Sequence, residues 1–206
     1  MLNIVKKKNH FFRLIVGSEL SHTSKEFIQK NIWKRRWPPV QLIKDQKIVE
    51  DTWQHISEIT ADTDSPTVDV PRANIIVPFA YWLENKESLL NRDGMLGVCI
   101  DGDVDIQEVV KDIEHFDLIA LDFPAFADGR SYSHARLLRD RYNFEGELRA
   151  VGDILRDQLF FMQRCGINSF QLREDKDMQD ALNAFTELSV KYQTAADGAE
   201  PIYKYR

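Results

Sequence analysis

From residue 73 onward the chain alternates short apolar runs with segments of helical period, and that alternation narrows its fold more than any other feature. The runs are "ANIIVPF", "MLGVCID", "DLIALDF", "GELRAVG" and "INSFQL". Between and after them stand "YWLENKESLLNRDG", "DIQEVVKDIEHF", "SYSHARLLRDRY", "DILRDQLFFMQRCG" and "DMQDALNAFTELSVKYQ". Repeats of this kind are βαβ units, which build parallel sheets. The unbroken apolar character of "IIV", "LGVCI" and "LIAL" predicts strands covered on both faces. Five strands are too few for a closed eight-stranded barrel. The expectation is α/β: an open, mostly parallel five-stranded sheet with helices on both faces, Rossmann-like or flavodoxin-like, with half a barrel as the alternative.

Ahead of this repeat, "VQLIKDQKIVEDTW" holds two short β-prone runs around Asp45-Gln46, the pattern of a small N-terminal β-hairpin. The stretch 57–72, "SEITADTDSPTVDVPR", is polar and aperiodic and reads as a linker or surface loop. Gly94 and Gly166 are placed to end helices, and Asp153 to begin one. Residues 1–39 carry nine Lys/Arg against Glu19 and Glu26, a balance of +7, so the remainder of a chain of net charge −6 carries −13. This divides the chain into a basic N-terminal extension, 1–39, and a single α/β domain, 40–206. The acidic body argues against nucleic acid as its ligand. No apolar stretch is long enough to span a bilayer. The basic-then-apolar start is short and broken by Arg13, so it reads as non-secretory, and two cysteines without metal or disulfide spacing suit the cytoplasm.

Open parallel sheets bind ligands beyond the carboxyl ends of their strands. Asp122 and the loop "PAFADGR" follow the third run there, and Gly152 and Asp153 follow the fourth. Asp128-Gly129 is turn chemistry, Ser131 or Ser133 can cap the next helix, and a helix start favours an anion. On a helical projection Ser133, Arg136 and Asp140 share one face with Arg139 at its flank, while Ala135, Leu138 and Tyr142 face the core. No lysine falls between Lys111 and Lys176, yet eight arginines do. Arginine is the residue of bidentate contacts to oxyanions and carboxylates. Asp128, Gly129, Arg130, Ser131, Ser133, Arg136 and Arg139 are therefore the candidate anion-binding set, with Asp122, Gly152 and Asp153 as strand-end candidates. The competing reading is a web of Arg–Asp/Glu pairs that holds elements together. His134 is a lone acid–base candidate. Cys99 and Cys165 read as core, and no metal site is predicted. Neither dinucleotide nor phosphate-loop fingerprint is present, and "IDGDVD" lacks the length and late glutamate of a calcium loop. No cofactor can be named from the residues.

The stretch "FPAFADGRSYSHARLLRDRYNFEGELRAVGDILRDQLFFMQRCGINSF" resembles a bacterial family of unknown function, the DUF934 family. The resemblance runs from about Val40 to Gln171 and is densest over 121–170. It implies a place in assimilatory sulfite reduction and an oxidoreductase role, and it supplies no catalytic residue. Two functions follow as expectations. One is an accessory of sulfite reduction that binds a small anion through Arg130, Arg136 and the helix start. The other is a noncatalytic adaptor that docks on sulfite reductase or a partner reductase subunit, with Trp33, Trp37, Trp53, Tyr81 and Trp82 available as anchors.

Overall fold

Asp45 and Gln46 both adopt positive φ, 48° and 60°. Two consecutive left-handed residues are what a tight type I′ hairpin needs. They join β1 (Gln41–Lys44) to β2 (Lys47–Glu50) in antiparallel register, from Lys44↔Lys47 to Gln41↔Glu50. The computed structural model describes residues 41–56, 73–173 and 175–205. The expected extension 1–39 and linker 57–72 lie outside them.

After the hairpin come β3 (Trp53–His55), β4 (Asn74–Pro78), α1 (Phe79–Leu90), β5 (Leu96–Ile100), α2 (Ile106–Val110) and β6 (Leu118–Phe123). Then follow α3 (Arg130–Asp140), β7 (Glu147–Gly152), α4 (Leu159–Arg164), β8 (Ser169–Phe170) and α5 (Met178–Asn183). The five predicted apolar runs are thus β4 to β8. Gly166 ends α4 with φ 100°, as its position predicts. Gly94 does not cap α1: it turns the loop beyond, while Asn91 takes the cap position.

The sheet has eight strands in the order β2-β1-β8-β7-β6-β5-β4-β3. Strands β3 to β8 are parallel and β1 is antiparallel to both its neighbours. This corrects the five-stranded expectation: the hairpin joins the sheet beside β8, and β3 adds a strand beside β4. It also corrects the doubly wound arrangement. From β3 to β8 every crossover steps in the same direction, and right-handed crossovers of one direction place their helices on one face. A Rossmann-like or flavodoxin-like sheet reverses direction at a switch point, and this one does not.

The other face closes on itself. Only Asp51 and Thr52 separate β2 from β3, at opposite ends of the strand order. Three peptide steps reach about 11 Å. An open sheet would hold these edges roughly 34 Å apart. The sheet therefore curls until its edges meet, and β2 and β3 act as one bent strand that pairs with β1 by its first half and with β4 by its second. Registers with β1 and β4 place Lys47, Val49, Trp53 and His55 on the same inner face, so the alternation runs unbroken through Asp51.

Two cores result. Ile75, Val77, Val98, Ile100, Ile119, Leu121, Leu148, Ala150 and Phe170 pack outward against the helices in one cluster. Trp82 of α1 lies within it, edge-on to Phe116, and Phe123 is edge-on to Tyr132 of α3. Leu42, Ile76, Leu118, Ala120 and Val151 are equally buried but lie outside that cluster, because they fill the inside of the ring. Ring interiors of this strand number are just wide enough for side chains.

Candidate functional site

Arg130 opens α3 at the carboxyl edge of the sheet, and Asp128 grips it as a fork. Asp128 Oδ1 accepts from the Arg130 backbone N–H (3.2 Å) and from Nε (2.9 Å), while Oδ2 accepts from Nη2 (2.6 Å). Asp103, in the β5–α2 loop, accepts from Nη1. Hydrogen bonds from Arg130 hold the Asp128 carboxyl down at about 2. A side chain at Gly102 would stand 2.8 Å from Arg130 Cβ and Nε, so glycine is what lets the loop lie against the guanidinium. Neither serine caps α3. Gly129 holds the cap position, Ser133 is exposed, and buried Ser131 donates through Oγ to the Asp122 carbonyl (2.7 Å).

The remaining predicted cations do not gather there. Arg136 pairs with Asp140 one turn along α3 (2.5 Å). Arg139, near the far end of the same helix, donates to carbonyls of Gly166 (2.9 Å) and Phe144 and to Asn168 Oδ1 (3.4 Å). These partners precede β7 and β8, so Arg139 clamps the amino edge of the sheet. Asp153 caps no helix, since the next helical turn starts only at Arg156. It accepts instead from Arg173 Nη1 (2.9 Å), whose Nε and Nη2 are taken by Asp175 (2.9 and 2.8 Å). Gly152 has φ 101°, and a Cβ there would meet the Phe123 carbonyl at 2.5 Å and Asp122 Oδ1 at 2.6 Å. The structure thus brings together Asp103, Asp128 and Arg130 in one clamp and Asp153, Arg173 and Asp175 in another. A cleft of about 340 Å³ near the ends of β7 and β8 has an apolar floor of Leu155, Leu172 and Ala181. Its Arg156 is tied to Asp180 (2.8 Å) and Glu187 (2.5 Å).

The densest polar group lies inside the ring. Arg149, in the middle of β7, is 1% exposed. Its Nε and Nη2 reach Glu147 Oε1 (2.9 and 2.8 Å), and Nη1 reaches both oxygens of Asp51 (3.1 and 3.0 Å). Lys44 of β1 takes the other Glu147 oxygen at 2.7 Å. Two cations face two carboxylates, and the network is neutral. Burial pushes the Glu147 carboxyl up, but Arg149 and the hydrogen bonds from Lys44 and Ser169 together hold it below its usual range. His55 shares this interior: burial and then the Arg149 charge lower it from 6.5 to about 4, so it is neutral at pH 7. Burial, with Asp122 and Asp101 nearby, pushes the Cys99 thiol up to about 12.

Arg149, Glu147, Asp51 and Lys44 all lie outside the anion-binding set expected from sequence, and no residue of this network is among the strand-end candidates. Its signal was Glu147 and Arg149 two residues apart within an apolar strand, which places both on one face, together with the alternation of Lys47, Val49, Asp51, Trp53 and His55. His134 lies on α3 with Asp101 and Asp105 near it, and burial lowers its pKa. Among the described residues no His, Cys, Asp and Glu group could hold a metal ion, and no helix is long and apolar enough to cross a membrane.

The profile of the family described as "Bacterial protein of unknown function (DUF934)" matches residues 97–203, just over half of the chain. The chain belongs to the DUF934 family. No curated protein and no solved structure matches it. The DUF934 match starts at β5, later than the resemblance from Val40, and runs past Gln171 through the C-terminal segment. It takes in both aspartate–arginine clamps and Arg149, and leaves out the hairpin and Asp51.

Proposed function

We propose that this DUF934 chain is an accessory protein of assimilatory sulfite reduction that works as a noncatalytic adaptor, docking on sulfite reductase or a partner reductase subunit. The pathway comes from the family resemblance. The observation that carries docking is the exposure of large side chains in the C-terminal segment: Leu188 (58%), Val190 (60%), Tyr192 (75%), Tyr203 (58%) and Tyr205 (73%). Exposed aromatic and aliphatic groups clustered along one segment are what protein interfaces draw on. Of the anchors expected from sequence, Trp82 is fully buried and Trp53 faces the ring interior, which moves the docking surface to this segment. The carboxyl-edge guanidiniums of Arg130 and Arg173 already face two aspartates each, and this weighs against an anion as the principal ligand.

The test is co-purification. Tagged full-length protein is expected to retain reductase subunits from cells grown on sulfate as sole sulfur source, and a Tyr192→Ala, Tyr203→Ala, Tyr205→Ala variant is expected to lose them. A deletion strain that reduces sulfite normally would sink the pathway assignment. Saturable calorimetric binding of sulfite, abolished by Arg130→Ala, would restore the anion-site oxidoreductase reading in place of the adaptor.

A further inference from the structure

We infer that the cleft floored by Leu155, Leu172 and Ala181 receives a lysine or arginine side chain of the docking partner. This deepens the adaptor reading and rests on it. The cleft, of about 340 Å³, opens near the carboxyl ends of β7 and β8, the edge where parallel strands of α/β proteins place their ligands. Leu155 follows the end of β7, Leu172 follows β8, and Ala181 lies on α5. Leu172 and Ala181 are buried, so the floor is fixed by the core beneath it. A cleft at the small end of the ligand-pocket range admits one side chain rather than a whole helix or strand. It also adjoins the docking segment. Arg156 on its rim bonds Glu187, and the next residue, Leu188, begins the run of exposed side chains that carries docking.

The rim sets the charge of the guest. Arg156 and Lys176 line the cleft against Asp157, Asp177 and Asp180, so carboxylates outnumber cations. Both cations are engaged: Arg156 by Asp180 and Glu187, and Lys176 by Asp175 at 3.3 Å. Asp157 is exposed and forms no ion pair among the described residues. Asp177 spends Oδ1 on the backbone N–H groups of Gln179 and Asp180 (2.8 and 3.3 Å), and its Oδ2 meets no donor among the described residues. What the rim has to spare is therefore acceptor capacity and negative charge. A guest with an aliphatic stem and a cationic head matches both parts of the cleft: the stem lies on the leucines and the head meets Asp157 and Asp177. Charge complementarity of this kind selects partners, and arginine is among the side chains that interfaces use as anchors. The sign is opposite to that of the anion expected from sequence at this edge.

Four capped amino acids test the pocket directly: the N-acetyl amides of arginine, lysine, norleucine and glutamate, each titrated into the methyl-labelled full-length chain. Arginine or lysine is expected to shift the Leu155, Leu172 and Ala181 methyl resonances saturably, norleucine to bind more weakly, and glutamate to leave them unmoved. Asp157→Lys changes an exposed side chain and is expected to weaken the basic probes about tenfold. The same variant is expected to lose the reductase subunits in co-purification while Tyr192, Tyr203 and Tyr205 stay intact. Norleucine or glutamate binding as well as arginine and lysine would overturn the inference, as would no saturable shift with any probe; both outcomes come from the wild type and need no variant. Asp157→Lys that keeps the subunits, beside a tyrosine variant that loses them, overturns the pocket and leaves docking standing. A wild type that retains no subunit sinks docking itself and the inference with it.

Discussion

Arg149 shows what a buried charge demands. A guanidinium at 1% exposure survives because Glu147 and Asp51 accept from its Nε and both of its Nη groups. Such a pair adds little net stability over apolar packing, yet removing one member strands the others. Arg149→Met should therefore cost about 3–5 kcal/mol by urea denaturation, far more than its conservative volume suggests. Removing both carboxylates along with the arginine should recover much of that loss. His55 predicts a pH dependence. Between pH 6.5 and about 4 the unfolded chain binds a proton that the folded imidazole refuses, so stability falls as pH drops through this window. The loss is about 3 kcal/mol at full extent, and His55→Gln should flatten that part of the profile. Glu147 acts in the same direction at lower pH: its carboxyl is held below the usual range, so its contribution is present above that range and lost as pH falls through the folded value.

The bent strand Lys47–His55 carries the closure of the ring at the scale of elements. Its inner residues keep period two across Asp51-Thr52, so the link tolerates no change of parity. One glycine inserted between Asp51 and Thr52 would turn Trp53 and His55 outward. Two would restore their side. The single insertion should destabilise the protein by about 2 kcal/mol more than the double one, and a reversed order in denaturant midpoints would refute the one-strand description. The apolar runs located β4 to β8, and Asp45-Gln46 located the hairpin turn, because those features are written in neighbouring residues. Face allocation was not legible: whether helices cover one face or two depends on strand order, and strand order is set by contacts between distant residues. The same limit hid the interior network. Asp128–Arg130 is local and was readable as a turn with a nearby arginine, whereas Asp51 and Arg149 stand 98 residues apart. The lysine-free window did mark real pairing chemistry, since Arg130, Arg136, Arg149, Arg156, Arg164 and Arg173 all meet carboxylates. What the composition could not show is that most of these pairs serve the scaffold.

For the whole molecule, long sequence separations gather at one seam. Lys44 and Glu147 are 103 residues apart, and the Asp45 amide bonds the Asn168 carbonyl at 2.9 Å. Loop-closure entropy must be met before such contacts stabilise anything. Refolding after dilution from urea should accordingly take milliseconds to seconds, the range of sheets rich in non-local pairings. Stopped-flow fluorescence from the buried Trp82 and the inward-facing Trp53 can time it. The β1–β8 seam has a further meaning during synthesis. The hairpin leaves the ribosome well before β8, the strand that will cover β1. Until then β1 presents bare amides and carbonyls, and so does each newly made parallel strand. A finished molecule has its sheet edges brought together, but a nascent one is all edge, and its window of greatest risk for aggregation ends only when Ser169 and Phe170 arrive beside Lys44 and Ile43.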